Sequence, residues 1–267
     1  MISDITIGQY YKADSVIHRL DPRVKLMGTL IFIISLFMGM NIWIYAVVTV
    51  ALAVVIKMSR IPLKFMVRGL KSIVILIIIS AVFNLFLTPG DVLIQIWKLT
   101  ITYQGLKMAI FMVVRLIYLI VGTSLMTLTT TPNNLTDGLE KGLGFLKVIK
   151  VPVHEIAMMM SIALRFIPIL IEETDKIMKA QMARGADFEN GSLIKRAKAM
   201  VPILVPLFVS AFRRANELAM AMEARCYHGS EGRTKMKPLK YEKRDRIAYI
   251  SMVLYLGVII IVKIIAA

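Results

Sequence analysis

The sequence is poor in cysteine, histidine and acidic residues, and each shortage argues against a class of function. With one cysteine, Cys226, the chain cannot form an internal disulfide. The three histidines, His18, His154 and His228, share no spacing that is typical of a metal site. Asp and Glu number 17 against 33 Lys and Arg. No pair of carboxylates lies within an apolar run, so a proton-coupled mechanism lacks its usual residues.

Two common sequence signals are also missing. The chain contains no GxxxxGK[ST] loop, so it does not bind nucleotide in the way that P-loop proteins do. Residues 1–25 are polar and mixed in charge, without the apolar centre of a cleavable secretion signal. We therefore expect a protein that is not an enzyme, holds no cofactor or metal of its own, and inserts through its own apolar segments.

Apolar sequence is abundant. Hydrophobic residues make up 58% of the chain, against roughly 45–50% in an average soluble domain, which predicts an integral membrane protein. The first two apolar runs are split by Gly39-Met40-Asn41 and are only about 25 Å long if helical, so we expect tilt or local thinning of the bilayer around them. The runs long enough to suggest spans are 26–40, 42–56, 72–87, 108–130 and 247–265.

The excess of basic residues favours a membrane orientation over nucleic-acid binding. A formal net charge of +16 would suggest nucleic acid in a soluble protein, but in a multi-pass membrane protein basic residues concentrate in cytoplasmic loops. The loop at 57–71 carries five Lys or Arg and no acid, whereas the link at 89–107 carries only Lys98 and Lys107. We predict a multi-pass protein of the cell membrane, with the N-terminus inside and the C-terminus outside.

The segment at 132–246 is predicted to form a separate cytoplasmic-side domain. It would lie between N-terminal transmembrane helices at 1–131 and a C-terminal transmembrane helix at 247–267. It contains two long amphipathic helices, predicted at 153–184 and 193–227 from apolar residues at helical spacing. Prolines 168, 202 and 206 should kink these helices or set their ends. The predicted fold is an all-α integral membrane protein with about five transmembrane helices plus these two long helices.

Each of the two long helices ends in alanine, arginine and a small residue. The stretches are MARGA at 182–186 and EARCY at 223–227. A terminal arginine can simply complement the partial negative charge at a helix C-terminus. Because the pattern stands at matched ends of both helices, we favour docking into a carboxylate-lined groove, where the planar guanidinium of Arg184 or Arg225 can form two parallel hydrogen bonds.

The doubled ending resembles that of the transmembrane T component of energy-coupling factor (ECF) transporters. Asp21-Pro22-Arg23-Val24-Lys25 and Leu164-Arg165-Phe166-Ile167-Pro168 are also similar to that family, and the resemblance covers essentially the whole chain. It implies a subunit of an ATP-binding-cassette (ABC) importer for vitamins and other micronutrients. In such complexes the T component joins two cytoplasmic ATPases, which bind the ATP, to a small membrane protein that captures substrate, the S component.

The resemblance also implies roles for particular residues of these two coupling helices. Each tip would dock in a groove of one ATPase, with Arg184 and Arg225 making the main polar contacts and Ala183, Gly185 and Ala224 allowing close approach. The second tip has Cys226 where the family commonly has Gly, and Cys takes a left-handed conformation less readily. Met is adaptable and suits an exchangeable contact with S components. The residues that we assign to this contact are Met159, Met160, Ala163, Ala211, Ala215 and Met222.

Two other interpretations stay open. One is the permease subunit of a conventional ABC importer, which lines its own substrate path and acts in pairs, although the doubled tip argues against it. The other is a membrane scaffold whose basic helices recruit an acidic partner without transport. Arg115, a charged residue within the fourth apolar run, is expected to snorkel to the interface or to pair between helices in any of these cases.

Overall fold

The computed structural model describes residues 10–71, 73–96, 99–186, 188, 192–229 and 238–265. The chain divides into two compact units. The bundle unit comprises Gly8–Gly138 and Leu239–Ala267, and the paired-helix unit comprises Leu139–Pro238 together with Met1–Ile7, which lie outside the described residues.

The bundle unit is helical apart from one short hairpin. Its helices begin and end where local signals predict. The Asp21 carboxylate accepts a hydrogen bond from the Arg23 amide at the start of the first helix, with Pro22 in the first turn. Its elements are α1 Pro22–Phe37, α2 Ile42–Ser59, α3 Leu63–Lys71, α4 Val74–Leu87, β1 Val92–Ile96, β2 Leu99–Thr102, α5 Tyr103–Thr129, α6 Pro132–Gly142, whose last turn passes the unit boundary, and α9 Lys243–Ile265.

The paired-helix unit is built around two helices of more than 30 residues. A 3-10 helix, Gly144–Ile149, precedes α7, Val153–Ala183, and α8 is Leu193–Ala224. All three prolines expected to kink or bound these helices lie within them, Pro168 in α7 and Pro202 and Pro206 in α8. The two helices end at Ala183 and Ala224, so the predicted ends at 184 and 227 lie one and three residues too far along the chain.

The apolar runs all fall on helices, which confirms the all-α membrane fold. In the described residues α2, α5, α7 and α9 have the length and hydropathy of membrane spans, and α3 with α4 is a further candidate, bent by 64°. With 16 residues, α1 is about 24 Å long, which is short for a hydrocarbon core of about 30 Å. The antiparallel hairpin of β1 and β2 was not predicted.

The first and last helices of the bundle unit run parallel. The Asp245 carboxylate, 2% exposed, accepts a hydrogen bond from the Asp21 amide at 2.9 Å. About three to four turns further on, the hydroxyls of Ser35 and Tyr255 lie 2.7 Å apart. Helices α1 and α9 therefore begin on the same side of the bundle, although 224 residues separate Asp21 from Asp245.

Helix α5 runs antiparallel to α1. The Lys25 ammonium at the start of α1 donates to the Thr129 carbonyl at the end of α5, and the backbone of Gly122 lies against the ring of Phe32. Towards the other end, the Arg115 guanidinium stacks over the ring of Phe37. The starts of α1 and α9 and the end of α5 therefore lie on one side of the bundle unit, and the opposite ends of these three helices lie on the other.

The segment before α1 is tied to the end of α5. The Tyr11 amide donates to the Leu128 carbonyl at 2.9 Å. The His18 ring bridges the Ser15 hydroxyl and the Tyr11 carbonyl at 2.7 and 3.0 Å. Burial lowers the pKa of His18, which favours a neutral ring that donates to the carbonyl and accepts from the hydroxyl.

Candidate functional site

The two long helices pack against each other in antiparallel directions. Near the middle of the pair, the Glu173 carboxylate of α7 accepts hydrogen bonds from the Ser210 hydroxyl at 2.6 Å and the Arg214 guanidinium at 3.0 Å. Nearer the start of α7, Ser161 and Arg165 line one cavity with residues at the end of α8. The C-terminal end of α8 therefore lies beside the N-terminal half of α7, as in any antiparallel pair.

The Glu173–Arg214 ion pair lies equally far from both helix tips. Eleven residues separate Glu173 from Arg184, and eleven separate Arg214 from Arg225. Each tip is thus about 16 Å along its helix from the ion pair. Because the helices are antiparallel, the two tips point in opposite directions from it. The pair of helices is close to symmetric about this contact.

The first tip ends in a hydrogen-bonded turn that needs a left-handed residue. The Gly185 amide donates to the Met182 carbonyl at 2.9 Å, and the Ala186 amide donates to the Gln181 carbonyl at 3.0 Å. This pair of bonds is the Schellman motif, with Gly185 in its left-handed position at φ +90°. Gly185 therefore ends α7.

The second tip repeats that turn without a glycine. The Cys226 amide donates to the Glu223 carbonyl at 2.8 Å, and the Tyr227 amide donates to the Met222 carbonyl at 3.0 Å. Cys226 therefore takes the left-handed position, at φ 54°. Cys226 thus adopts a conformation that cysteine takes less readily than glycine. Arg184 and Arg225 occupy the same position in their respective caps.

The residues of both tips are exposed. Ala183, Arg184 and Gly185 at the first tip and Ala224, Arg225 and Cys226 at the second are all open to solvent. Among the described residues, no carboxylate pairs with either arginine. As far as the described residues go, both guanidiniums are thus available for an acidic partner.

The second tip borders a cavity of about 550 Å³ between the two helices. Arg225 and Cys226 line it together with Arg165, Ser161 and His228, and no acidic residue lines it. Arg184 does not line this cavity. The two tips thus share their backbone geometry but differ in their surroundings.

The six residues assigned to an S-component contact do not form one surface. Met159 and Met160 are exposed near the start of α7, as is Ala163. Ala211 and Ala215 adjoin the central ion pair on α8, Ala211 half-buried and Ala215 exposed. Met222 is half-buried and lines the cavity at the second tip. The set is divided between two places along the helix pair.

The residues assigned from sequence to a partner contact leave out an apolar stripe on α8, of which Phe208 and Phe212 were read only as part of the helical pattern. Its side chains are between 52% and 65% exposed, and they recur in pairs every four residues over three turns. That spacing is visible in the sequence and marks one face of a helix. The residues of this stripe are Met200, Val201, Leu204, Val205, Phe208, Val209 and Phe212.

The charged residue within the fourth apolar run pairs between helices. Arg115 is 8% exposed; its Nε donates to the Tyr45 hydroxyl of α2 at 3.0 Å, and its guanidinium lies 5.0 Å from the centroid of the Phe37 ring. Of the two expectations for Arg115, pairing is confirmed. In the part of the chain that the structure describes, no three His, Cys, Asp or Glu residues come close enough to hold a metal ion.

The sequence is similar to known transporter proteins over nearly its whole length. Residues 13–236 match the family model of CbiQ, the cobalt transport protein. The energy-coupling factor transporter transmembrane protein EcfT of Clostridium kluyveri is 57% identical over 250 residues, 93% of each chain. The proteins of the same name from Thermosediminibacter oceani and Bacillus subtilis are 56% and 47% identical, over 93% and 95% of this chain and 94% and 96% of their own.

Proposed function

Because this chain belongs to the CbiQ family and to the EcfT transmembrane proteins of energy-coupling factor transporters, we propose that it couples two cytoplasmic ATPases to an S component. ATP hydrolysis in the ATPases would drive uptake of a vitamin or another micronutrient through the S component. The chain itself is a non-catalytic transmembrane subunit, and ATP is bound by its partners.

The matched tips carry this proposal. Two caps with the same hydrogen-bond pattern, equally far from one central ion pair and pointing in opposite directions, suit two similar partners related by an approximate two-fold axis. The arginines at both caps are exposed and have no acidic partner among the described residues. A single coupling contact to one partner, or a scaffold for one acidic protein, would need only one such tip.

The tips are tested by charge reversal at Arg184 and Arg225. Removing one partner of a buried charge pair at an interface costs about 2–5 kcal/mol, and Glu adds repulsion in an acidic groove. Arg184→Glu or Arg225→Glu alone should leave partial recovery of ATPases in a pull-down, and the double variant almost none. Arg213→Glu, an exposed arginine on α8 away from both caps, is the matched control. Normal ATPase recovery on the double variant would place docking elsewhere.

Within the bundle unit, the start of α1, the start of α9 and the end of α5 share one side. We propose that this side is cytoplasmic, because basic residues concentrate in cytoplasmic loops and several precede α1. In intact spheroplasts, Cys226 should react only with membrane-permeant maleimides, while a cysteine at Gly90 in a Cys226→Ala background should react with impermeant ones. Reaction of Cys226 with an impermeant maleimide would invert the orientation.

The apolar stripe on α8 is the better candidate for the S-component contact. Each of its seven side chains is at least 52% exposed, whereas Met160 is 43% exposed and Ala211 and Met222 are half-buried, and an exchangeable membrane partner needs an apolar surface of this kind. Leu204→Lys should reduce recovery of the S component while both ATPases remain bound. Asn216→Lys, on an exposed polar position of the same helix, is the control. Equal loss of S component and ATPases would assign the stripe to folding instead.

A further inference from the structure

The bundle unit contains an apolar groove of about 510 Å³ at the side where α1 and α9 begin. Residues of α1, α2, α5 and α9 line it, among them Phe32, Val55, Leu125 and Met252. No acidic side chain lines the groove, and its two charged lining residues, Lys25 and Arg244, are both basic. The groove is therefore apolar along its length and positive at one end.

The length of the groove matches one leaflet of a bilayer. Along α1 it runs from Lys25 to Phe32, about 10 Å, and along α9 from Arg244 to Tyr255, about 16 Å. Half of the hydrocarbon core of a membrane is about 15 Å thick. Both basic residues belong to the first turn of their helix, so they stand at the level of the lipid headgroups.

At the basic end of the groove, Lys25 and Arg244 have N–H groups that can donate further hydrogen bonds. Lys25 donates to the carbonyls of His18 and Thr129 at 3.1 and 2.8 Å, which leaves one of its three ammonium hydrogens for another acceptor. The Nε of Arg244 is buried and has no hydrogen-bond partner among the described residues, while its terminal nitrogen pairs with Glu242 outside the groove. A buried donor without an acceptor is unfavourable, and a phosphate oxygen would satisfy it.

We propose that this groove binds one anionic glycerophospholipid, with its phosphate at Arg244 and Lys25 and an acyl chain among the apolar residues. A lipid suits the groove because its apolar walls run for about one leaflet and its basic end holds the buried Arg244 Nε without an acceptor among the described residues. A negative headgroup is favoured over a zwitterionic one because both charged residues that line the groove are basic, while the nearby carboxylates of Asp21, Asp245 and Glu242 do not line it.

The test is native mass spectrometry of the full-length protein, delipidated in detergent and then supplied with palmitoyl-oleoyl phosphatidylglycerol or phosphatidylcholine. One phosphatidylglycerol should be retained per chain, with a preference over phosphatidylcholine of about fivefold. Arg244→Gln should abolish that preference. Arg246→Gln, an exposed arginine of the same helix that does not line the groove, should keep it. Equal retention of the two lipids by the unaltered protein would overturn the proposal.

The apolar part is tested by filling the groove. Ala51→Phe places a ring in the groove from α2, whereas Ala53→Phe adds the same ring at an exposed position outside it. Retention of phosphatidylglycerol should fall with the first substitution and stay unchanged with the second. Ala248→Phe fills the groove from α9 and serves if the α2 variant does not elute as a single species. Equal lipid retention in the filled and control variants would refute binding in the groove.

Discussion

Gly185→Cys should destabilise the cap of the first tip, and Cys226→Gly should stabilise the cap of the second. Gly185 sits at φ +90° with no heavy atom within 4 Å of where a Cβ would be, so Gly185→Cys meets no clash and pays only for its backbone conformation. A left-handed position costs a residue with a side chain roughly 1–2 kcal/mol. Cys226 already bears such a cost at φ 54°, and Cys226→Gly should recover up to about 1 kcal/mol of it.

Hydrogen exchange followed by mass spectrometry measures this directly. The Ala186 and Tyr227 amides close the two caps, and a loss of 1–2 kcal/mol speeds exchange by roughly 5- to 30-fold. Peptides that cover the first tip should exchange faster in Gly185→Cys, and those that cover the second tip should exchange more slowly in Cys226→Gly. Gly142→Cys, at a glycine without positive φ and with open space around it, is the control. Unchanged exchange at the first tip would show that the cap does not depend on glycine.

Three further perturbations test the bundle unit by thermal unfolding in detergent. Asp245→Asn leaves a buried backbone donor poorly satisfied and should lower the free energy of unfolding by about 1.5–3 kcal/mol. Asp14→Asn, which breaks an exposed ion pair, is the control and should lower it by less than about 1 kcal/mol. Equal effects of the two substitutions would deny that Asp245 joins α1 to α9. Tyr45→Phe removes the hydroxyl that accepts from the buried arginine of α5, and we expect a loss of about 1–3 kcal/mol. Gly122→Ala sets a Cβ 2.4 Å from the Phe32 ring and should cost about 1–3 kcal/mol; an unchanged melting temperature would mean that the ring moves aside freely.

The helices could be predicted because apolar runs and capping residues are local signals. The break between the first two runs at Gly39-Met40-Asn41 corresponds to the interval between α1 and α2. The hairpin of β1 and β2 could not be predicted in the same way, because its pairing joins residues on both sides of a turn and its short strands carry no long periodicity. Pairing of Arg115 with Tyr45 likewise depends on how α2 and α5 pack.

The tips were predictable as motifs, and their relation to each other was not. The stretches at 182–186 and 223–227 are plain in the sequence, but their equal distance from a central contact follows from Glu173 meeting Arg214, a pairing that the sequence does not specify. The apolar stripe on α8 was available from spacing alone. It was left out of the assigned contact because the presence of Met and Ala, rather than the period of four, guided that assignment.

The central ion pair gives the two helices the mechanics of a pivot. With arms of equal length on either side of Glu173 and Arg214, equal and opposite sideways forces at the two tips turn α7 and α8 in the same sense about that point, without net translation. The pair of helices would then rotate as one body, with its crossing angle unchanged and its midpoint in place. On this scheme, opposite sideways movements of two bound proteins become a rotation, and the side chains beside the pivot move least.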